Sequence, residues 1–373
     1  MKIVIISPSP PLRGGIATHT ACLYNELSKN HSVLIINYKK LYPNFLFPGK
    51  TQYNSDSSKL NIPSKKIINS IKPSSWKRAC DEIGSFSPDL VLFRFWNPFF
   101  SICLSSIAKN ISKSIKKIAL CDNIVPHENY FIDKWMTKYF FNKVDGFIVQ
   151  SSIVEKELLE FNPKARYTKL FHPVYDYLQP PIDKDYAKRE LRIDKRYVAL
   201  FFGLIRDYKG FDIFIESAKI LKEKKIDIKF LAAGECYSKK TKYLRLIEKY
   251  NLEDIVIWID EYIQDDDINK YFSASDFIVL PYKTASQSGI ISLAYHYNTP
   301  VITSDLEGLR DYIDIDKTGF ICTKNNPVVF SENIIKLMND NIINKMSEYI
   351  KIHKRKFSWK EFCDGIQTFS NQL

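Results

Sequence analysis

Residues 198–211 read VALFFGLIRDYKGF. The run Val198-Ala199-Leu200-Phe201-Phe202 is continuously apolar and short, the pattern of a strand buried on both faces, and Gly203 ends it. A polar junction, Gly203-Leu204-Ile205-Arg206-Asp207-Tyr208-Lys209-Gly210, leads into a helix at Phe211. The same strand rhythm recurs on both sides of this stretch. Before it come Ile3 to Ile6, Val33 to Ile36, Leu90 to Phe93, Ile118 to Leu120 and Phe147 to Val149; after it come Phe230 to Ala233, Ile255 to Trp258, Phe277 to Leu280 and Val301-Ile302. Helical stretches separate the runs, and Pro180-Pro181 breaks the chain between the halves. The expected fold class is therefore α/β: two doubly wound, Rossmann-like parallel sheets of similar length, joined near residues 174–190. Ligands of such sheets lie beyond the carboxyl ends of the strands, so the expected site is a cleft faced by both halves.

Composition permits this architecture and excludes others. At 373 residues the chain suits two domains, and with 45% apolar and 26% charged residues it is globular rather than disordered. Cys22, Cys80, Cys103, Cys121, Cys236, Cys322 and Cys363 are scattered with no C-x-x-C pair, which argues against a disulfide framework or zinc site and for a reducing compartment. The opening MKIVIISPSP carries an apolar run far shorter than the ~18 residues of a membrane span, and a cytoplasmic protein is expected. The net charge is +12, and residues 1–180 hold 24 Lys and Arg against 13 Asp and Glu, so +11 of it lies in the first half and +1 in the rest. Such asymmetry is either a lysine-rich bias or a basic face for anionic lipid or an acidic polymer. No nucleic-acid-binding motif accompanies it, and no nucleic-acid partner is expected.

Three loops at strand ends carry candidate chemistry. Gly14-Gly15 opens a helix after the first strand, where glycines admit a ligand to the backbone and free amides face an anion. It is not a G-x-G-x-x-G turn, and Asn37-Tyr38-Lys39-Lys40 supplies no acid at the end of the second strand, which disfavours a dinucleotide oxidoreductase. In the second half, Arg206 and Lys209 are placed to neutralise a leaving diphosphate. Ser286-Gln287-Ser288-Gly289 precedes a short helix whose amides and hydroxyls suit phosphate oxygens, with no acid between Asp276 and Asp305. Against each stands a plain alternative: a glycine turn, a solvated lysine, a helix cap.

Together these residues resemble the family-4 (group 1) glycosyltransferases, retaining enzymes of the GT-B fold. The likeness spans the chain: Gly14-Gly15, Gly203 to Gly210, Gly234-Glu235, Glu261-Tyr262-Ile263, Tyr271 to Asp276, Leu280-Pro281, Thr299 to Ile302, Asp305 to Leu309, Thr318-Gly319-Phe320 and the helix from Phe357-Ser358-Trp359. The resemblance implies an N-terminal acceptor domain (residues 1–177), a C-terminal nucleotide-sugar domain (178–355) and a last helix (356–373) that crosses back to the first. It implies a UDP- or GDP-linked sugar as donor, no metal or other cofactor, and a glycan or lipid-linked glycan acceptor in surface polysaccharide synthesis. The donor would be held by Gly14, Gly15, Gly203, Glu235, Tyr262, Gln287, Ser288 and Gly289. Asp122 and His127 would lie near the reacting sugar, and Arg206 and Lys209 at the departing diphosphate. Two departures stand out: the family's paired glutamates, eight positions apart, fall at Ala285 and Leu293, and its arginine after the glycine falls at Leu204, with Arg206 two places on. The alternative reading is a catalytically weak GT-B protein that binds a nucleotide or a partner.

Two further features are read from the residues. The aromatic stretches Tyr38 to Pro48 and Phe93 to Phe100 mix with cations; they are either core or an interfacial surface for peripheral membrane contact. The last helix is amphipathic, with Phe362, Ile366 and Phe369 on one side.

Overall fold

The structure, a computed structural model, describes residues 1–12, 14–42, 61–124, 131–175, 177–285 and 288–373. The chain forms two compact units, one of Met1–Phe171 with Trp359–Leu373 and the other of His172–Ser358.

In the first unit the described strands are β1 (Lys2–Ile6), β2 (Ser32–Lys40), β3 (Lys65–Asn69), β4 (Leu90–Phe95), β5 (Lys116–Cys121), β6 (Gly146–Val149) and β7 (Tyr167–Lys169). They pair in parallel in the order β3-β2-β1-β4-β5-β6-β7, with Ile3 opposite Val33 on one side and Leu90 on the other. The second unit holds β8 (Tyr197–Phe202), β9 (Ile228–Ala233), β10 (Val256–Ile259), β11 (Phe277–Leu280), β12 (Val301–Ser304) and β13 (Gly319–Cys322), again parallel, in the order β10-β9-β8-β11-β12-β13. Every residue of β4, β6, β9, β11 and β12 is buried, so both faces of these central strands are covered, as continuous apolar runs require. A pair of doubly wound, Rossmann-like α/β domains follows directly from these runs.

The strands not anticipated are β3, β7 and β13, all at sheet edges. Lys65-Lys66-Ile67-Ile68-Asn69 is largely solvent-accessible and Tyr167-Thr168-Lys169 is half-buried throughout, so neither carries the apolar run of a central strand. The interfacial reading of the aromatic stretches is corrected here: Tyr38, Phe93, Phe95 and Phe100 are core residues, at 1% exposure or less, because their strand and turn lie between layers of helix. Residues 43–48 lie outside the described residues. Among the described residues no helix is long and apolar enough to cross a membrane.

The last helix, Trp359–Gln372, completes the first unit. Trp359, Phe362, Ile366 and Phe369 are buried, and the Lys116 ammonium donates to the Ser370 carbonyl at 2.6 Å. The contact is close: a Cβ on Gly146 would meet the Phe369 ring at 2.8 Å, and one on Gly365 would meet Leu170 at 2.5 Å.

Candidate functional site

The order of the second sheet reverses between β8 and β11, which are hydrogen-bonded neighbours. The loops leaving their carboxyl ends, Gly203 to Gly210 and Pro281 to Gly289, therefore flank the crevice where doubly wound sheets bind ligands. They touch directly. The Lys283 amide donates to the Tyr208 carbonyl at 2.6 Å, and Gly210, in the left-handed region at φ 68°, sits so close to Pro281 that a Cβ would lie 1.9 Å from its carbonyl oxygen. Only glycine satisfies both demands.

Inside this crevice Lys209 lies with its ammonium over the Tyr282 ring, 5.5 Å from the centroid, and 3.4 Å from where a Gly203 side chain would begin. Gly203, at φ 92°, keeps that space clear. Burial lowers the Lys209 pKa from the ordinary lysine value, and the Arg206 charge acts in the same direction. Among the described residues no carboxylate pairs with it, because the acids of the loop are taken elsewhere: Asp207 accepts from the Tyr243 hydroxyl at 3.0 Å, and Asp212 from Lys283 at 2.6 Å. Arg206 is exposed, its guanidinium 5.6 Å from the Tyr237 ring centroid.

Across the crevice the helix Gly289–His296 begins. Ser288 caps it by accepting from the Ile290 amide at 3.3 Å and donates its own hydroxyl to Tyr282 at 3.4 Å. Burial raises the Tyr282 pKa to about 12, so this ring stays a neutral phenol under the lysine. The Tyr175 hydroxyl lies at the helix start, 2.8 Å from where a Gly289 side chain would begin. Leu293, where the resemblance places a carboxylate, is 8% exposed and apolar. Glu235 follows β9 and accepts at its carbonyl from the Ile205 amide at 2.9 Å, and Tyr262, 38% exposed, follows β10. Gln287 lies outside the described residues. A half-buried ammonium, an exposed guanidinium, helix amides and hydroxyls together suit the oxygens of a phosphate or diphosphate.

The first unit carries a separate polar cluster. Gly14, at φ 122°, and Gly15 open the helix Gly15–Leu27, and a Cβ on either would meet nothing within 4 Å, so the loop is open to a ligand. Asp122, just past β5, is 4% exposed and held by Arg94 of β4 through a bidentate pair, with Arg94 Nε donating at 2.6 Å and Nη2 to the second oxygen. Gln150 Nε2 donates to the same carboxylate at 3.1 Å. Arg94 Nη1 also donates to Nδ1 of His19 at 2.9 Å; because a guanidinium can only donate, Nδ1 accepts and the ring is the neutral Nε2-protonated tautomer. His19 in turn meets Trp359 edge-on at 4.8 Å and Phe362 at 5.5 Å. His127 lies outside the described residues. Arg94, His19 and Gln150 were not anticipated, though an arginine inside Leu90-Val91-Leu92-Phe93-Arg94-Phe95 signals a buried partner, since an arginine is almost never fully buried unless paired.

Residues 183–357 match the family model of the glycosyl transferases group 1. The matched segment covers nearly all of the second unit, including both crevice loops. Over its whole length the chain is 23% identical to an uncharacterized glycosyltransferase of Methanocaldococcus jannaschii, covering 100% of this chain and 99% of the relative. A D-inositol 3-phosphate glycosyltransferase of Paenarthrobacter aurescens is 26% identical over 48% of this chain and 44% of its own. Among solved structures, Anabaena HepE in complex with UDP superposes with a TM-score of 0.79 at 14% identity, covering 100% of both chains. The match and the full-length relative support a glycosyltransferase, and the structural likeness shows a shared fold.

Proposed function

We propose that the protein is a retaining glycosyltransferase that moves a sugar from a UDP- or GDP-linked donor to a glycan or lipid-linked glycan, in the synthesis of a surface polysaccharide. The observation that carries this reading is Lys209: a half-buried ammonium whose pKa burial lowers, with no carboxylate beside it among the described residues, at a crevice closed on the far side by a helix start. A diphosphate supplies the anion that this lysine lacks. Lys209 and Arg206 would balance the charge that grows on the departing nucleotide, while the amides following Ser288 and Gly289 hold its oxygens without a bound metal. Gly203 borders the same crevice, and Gly14, Gly15, Glu235, Tyr262, Gln287 and His127 belong to the proposed site by sequence. In a retaining transfer on the front face, the departing diphosphate takes the acceptor proton, so no enzyme nucleophile is required. UDP is the first nucleotide to try, because HepE structures hold UDP and UDP-glucose.

A panel of UDP, GDP, ADP, CMP and their sugar conjugates, read by thermal shift, tests the donor site, since a ligand that binds only the folded chain raises its apparent stability. One nucleotide family is expected to stabilise the protein, and NMR of the product is expected to show the anomeric configuration retained. Inversion at the anomeric carbon would overturn the retaining mechanism. The second reading, a nucleotide-binding protein with weak or no turnover, is favoured by buried, apolar Leu293. Binding without transfer or donor hydrolysis would establish it.

A further inference from the structure

We propose that the exposed face of the helix Phe131–Phe141 docks on an anionic lipid surface. This rests on a part of the molecule unrelated to the donor crevice. One side of the helix is buried, with Thr137 and Phe140 at 0% and Phe141 at 3% exposure, and Phe140 stacks on Phe95 in the core. The other side presents Lys134, Trp135, Lys138 and Tyr139 to solvent, with no acid among the four. Trp135 is 63% exposed, and its ring stacks on Tyr139 with centroids 5.7 Å apart and planes 9° apart. Lys143, one turn on, places its ammonium 5.6 Å from the Tyr139 ring. Among the described residues, none of Lys134, Lys138 and Lys143 pairs with a carboxylate, whereas lysines such as Lys29, Lys65 and Lys169 of the same unit do.

A stacked indole and phenol left in water, framed by three unpaired ammonium groups, matches the chemistry of a bilayer interface. Amphipathic rings settle at the level of the headgroups, lysine stems lie along apolar surface, and their charges meet lipid phosphates. The sign of the surrounding charge agrees, since residues 1–180 carry +11. A second copy of the same face is a poorer occupant, because a symmetric contact would set lysines against lysines.

The test uses the full chain with vesicles of phosphatidylcholine alone or mixed with phosphatidylglycerol. The protein is expected to sediment with the mixed vesicles, to be released by salt, and to ignore the neutral ones. Each lysine near an anionic leaflet is worth about fivefold in partitioning, so Lys134→Glu, Lys138→Glu and Lys143→Glu together lower it by on the order of 100-fold or more. Trp135→Phe is expected to keep most binding and lose most quenching of fluorescence by brominated lipid, since of the other four tryptophans Trp76 and Trp359 are buried and Trp96 and Trp258 half-buried, while Trp135 is 63% exposed. Circular dichroism melts of these surface variants should match the parent. Absence of binding to mixed vesicles, binding unchanged by the charge reversals, or quenching that survives Trp135→Phe overturns the proposal. A concentration-dependent dimer abolished by Trp135→Ser, without vesicle binding, would assign the face to a second copy instead.

Discussion

An ammonium held over a phenol ring with no carboxylate at hand costs free energy to fold, and among the described residues Lys209 is held that way. Lys209→Ala is therefore expected to leave the melting temperature of the free protein unchanged or higher while lowering turnover by on the order of 100-fold. Near-normal turnover in that variant would remove the phosphate role. A pH dependence follows with a definite sign. Burial depresses the Lys209 pKa in the free protein, and a bound diphosphate would raise it again, so affinity is full at lower pH and declines as pH climbs through the depressed value. Calorimetric titration with the nucleotide diphosphate, from neutral into alkaline solution, checks this; Lys209→Arg should flatten the profile, since a guanidinium keeps its charge. In the first unit, Asp122→Asn leaves Arg94 buried without its full counter-charge and should cost about 3 to 5 kcal/mol in urea unfolding, with activity falling only as far as folding does if the pair is structural. At this scale Lys209 and Gly203 were legible because a loop between strand and helix exposes its chemistry in order. Arg94 and His19 were not, because their partners lie 28 and 75 positions away from Arg94 and no local pattern encodes a pair at that distance.

Short elements at the crevice depend on backbone geometry as much as on side chains. Gly210→Ala must hold a Cβ in the left-handed region and against the Pro281 carbonyl, so a loss of at least about 2 kcal/mol is expected by denaturant unfolding, with donor binding impaired as the two loops separate. Ser288→Ala removes the cap of the helix Gly289–His296 and should cost about 1 kcal/mol. Central strands were readable from continuous apolar runs, as in β4 and β9, because burial on both faces leaves no alternation to interrupt them. The edge strands β3 and β7 escaped because one side of each meets water or loop, and their lysines resemble those of a turn.

At the level of the whole molecule, the last helix is a structural part of the first unit. Phe369, 5% exposed and pressed against Gly146, is expected to cost about 3 kcal/mol when changed to Ala. Removal of Trp359–Leu373 should unfold or loosen the first unit while sparing the second, which limited proteolysis would show as rapid digestion of residues 1–171 beside a stable core of 172–358. The amphipathic pattern of Phe362, Ile366 and Phe369 announced a docked helix; the surface that receives it, His19, Gly146 and Leu170, was hidden because those residues come from three separate elements.

That arrangement also sets an order of events on the ribosome. Domains generally form as they emerge, the earliest first. Here Met1–Phe171 belong to a body whose final helix lies within Trp359–Leu373, with all of the second unit in between. The later body can close on itself first, while the earlier one waits with the seat for Trp359 and Phe362 uncovered. A chain cut short before Trp359 would therefore harm residues 1–171 more than residues 172–358.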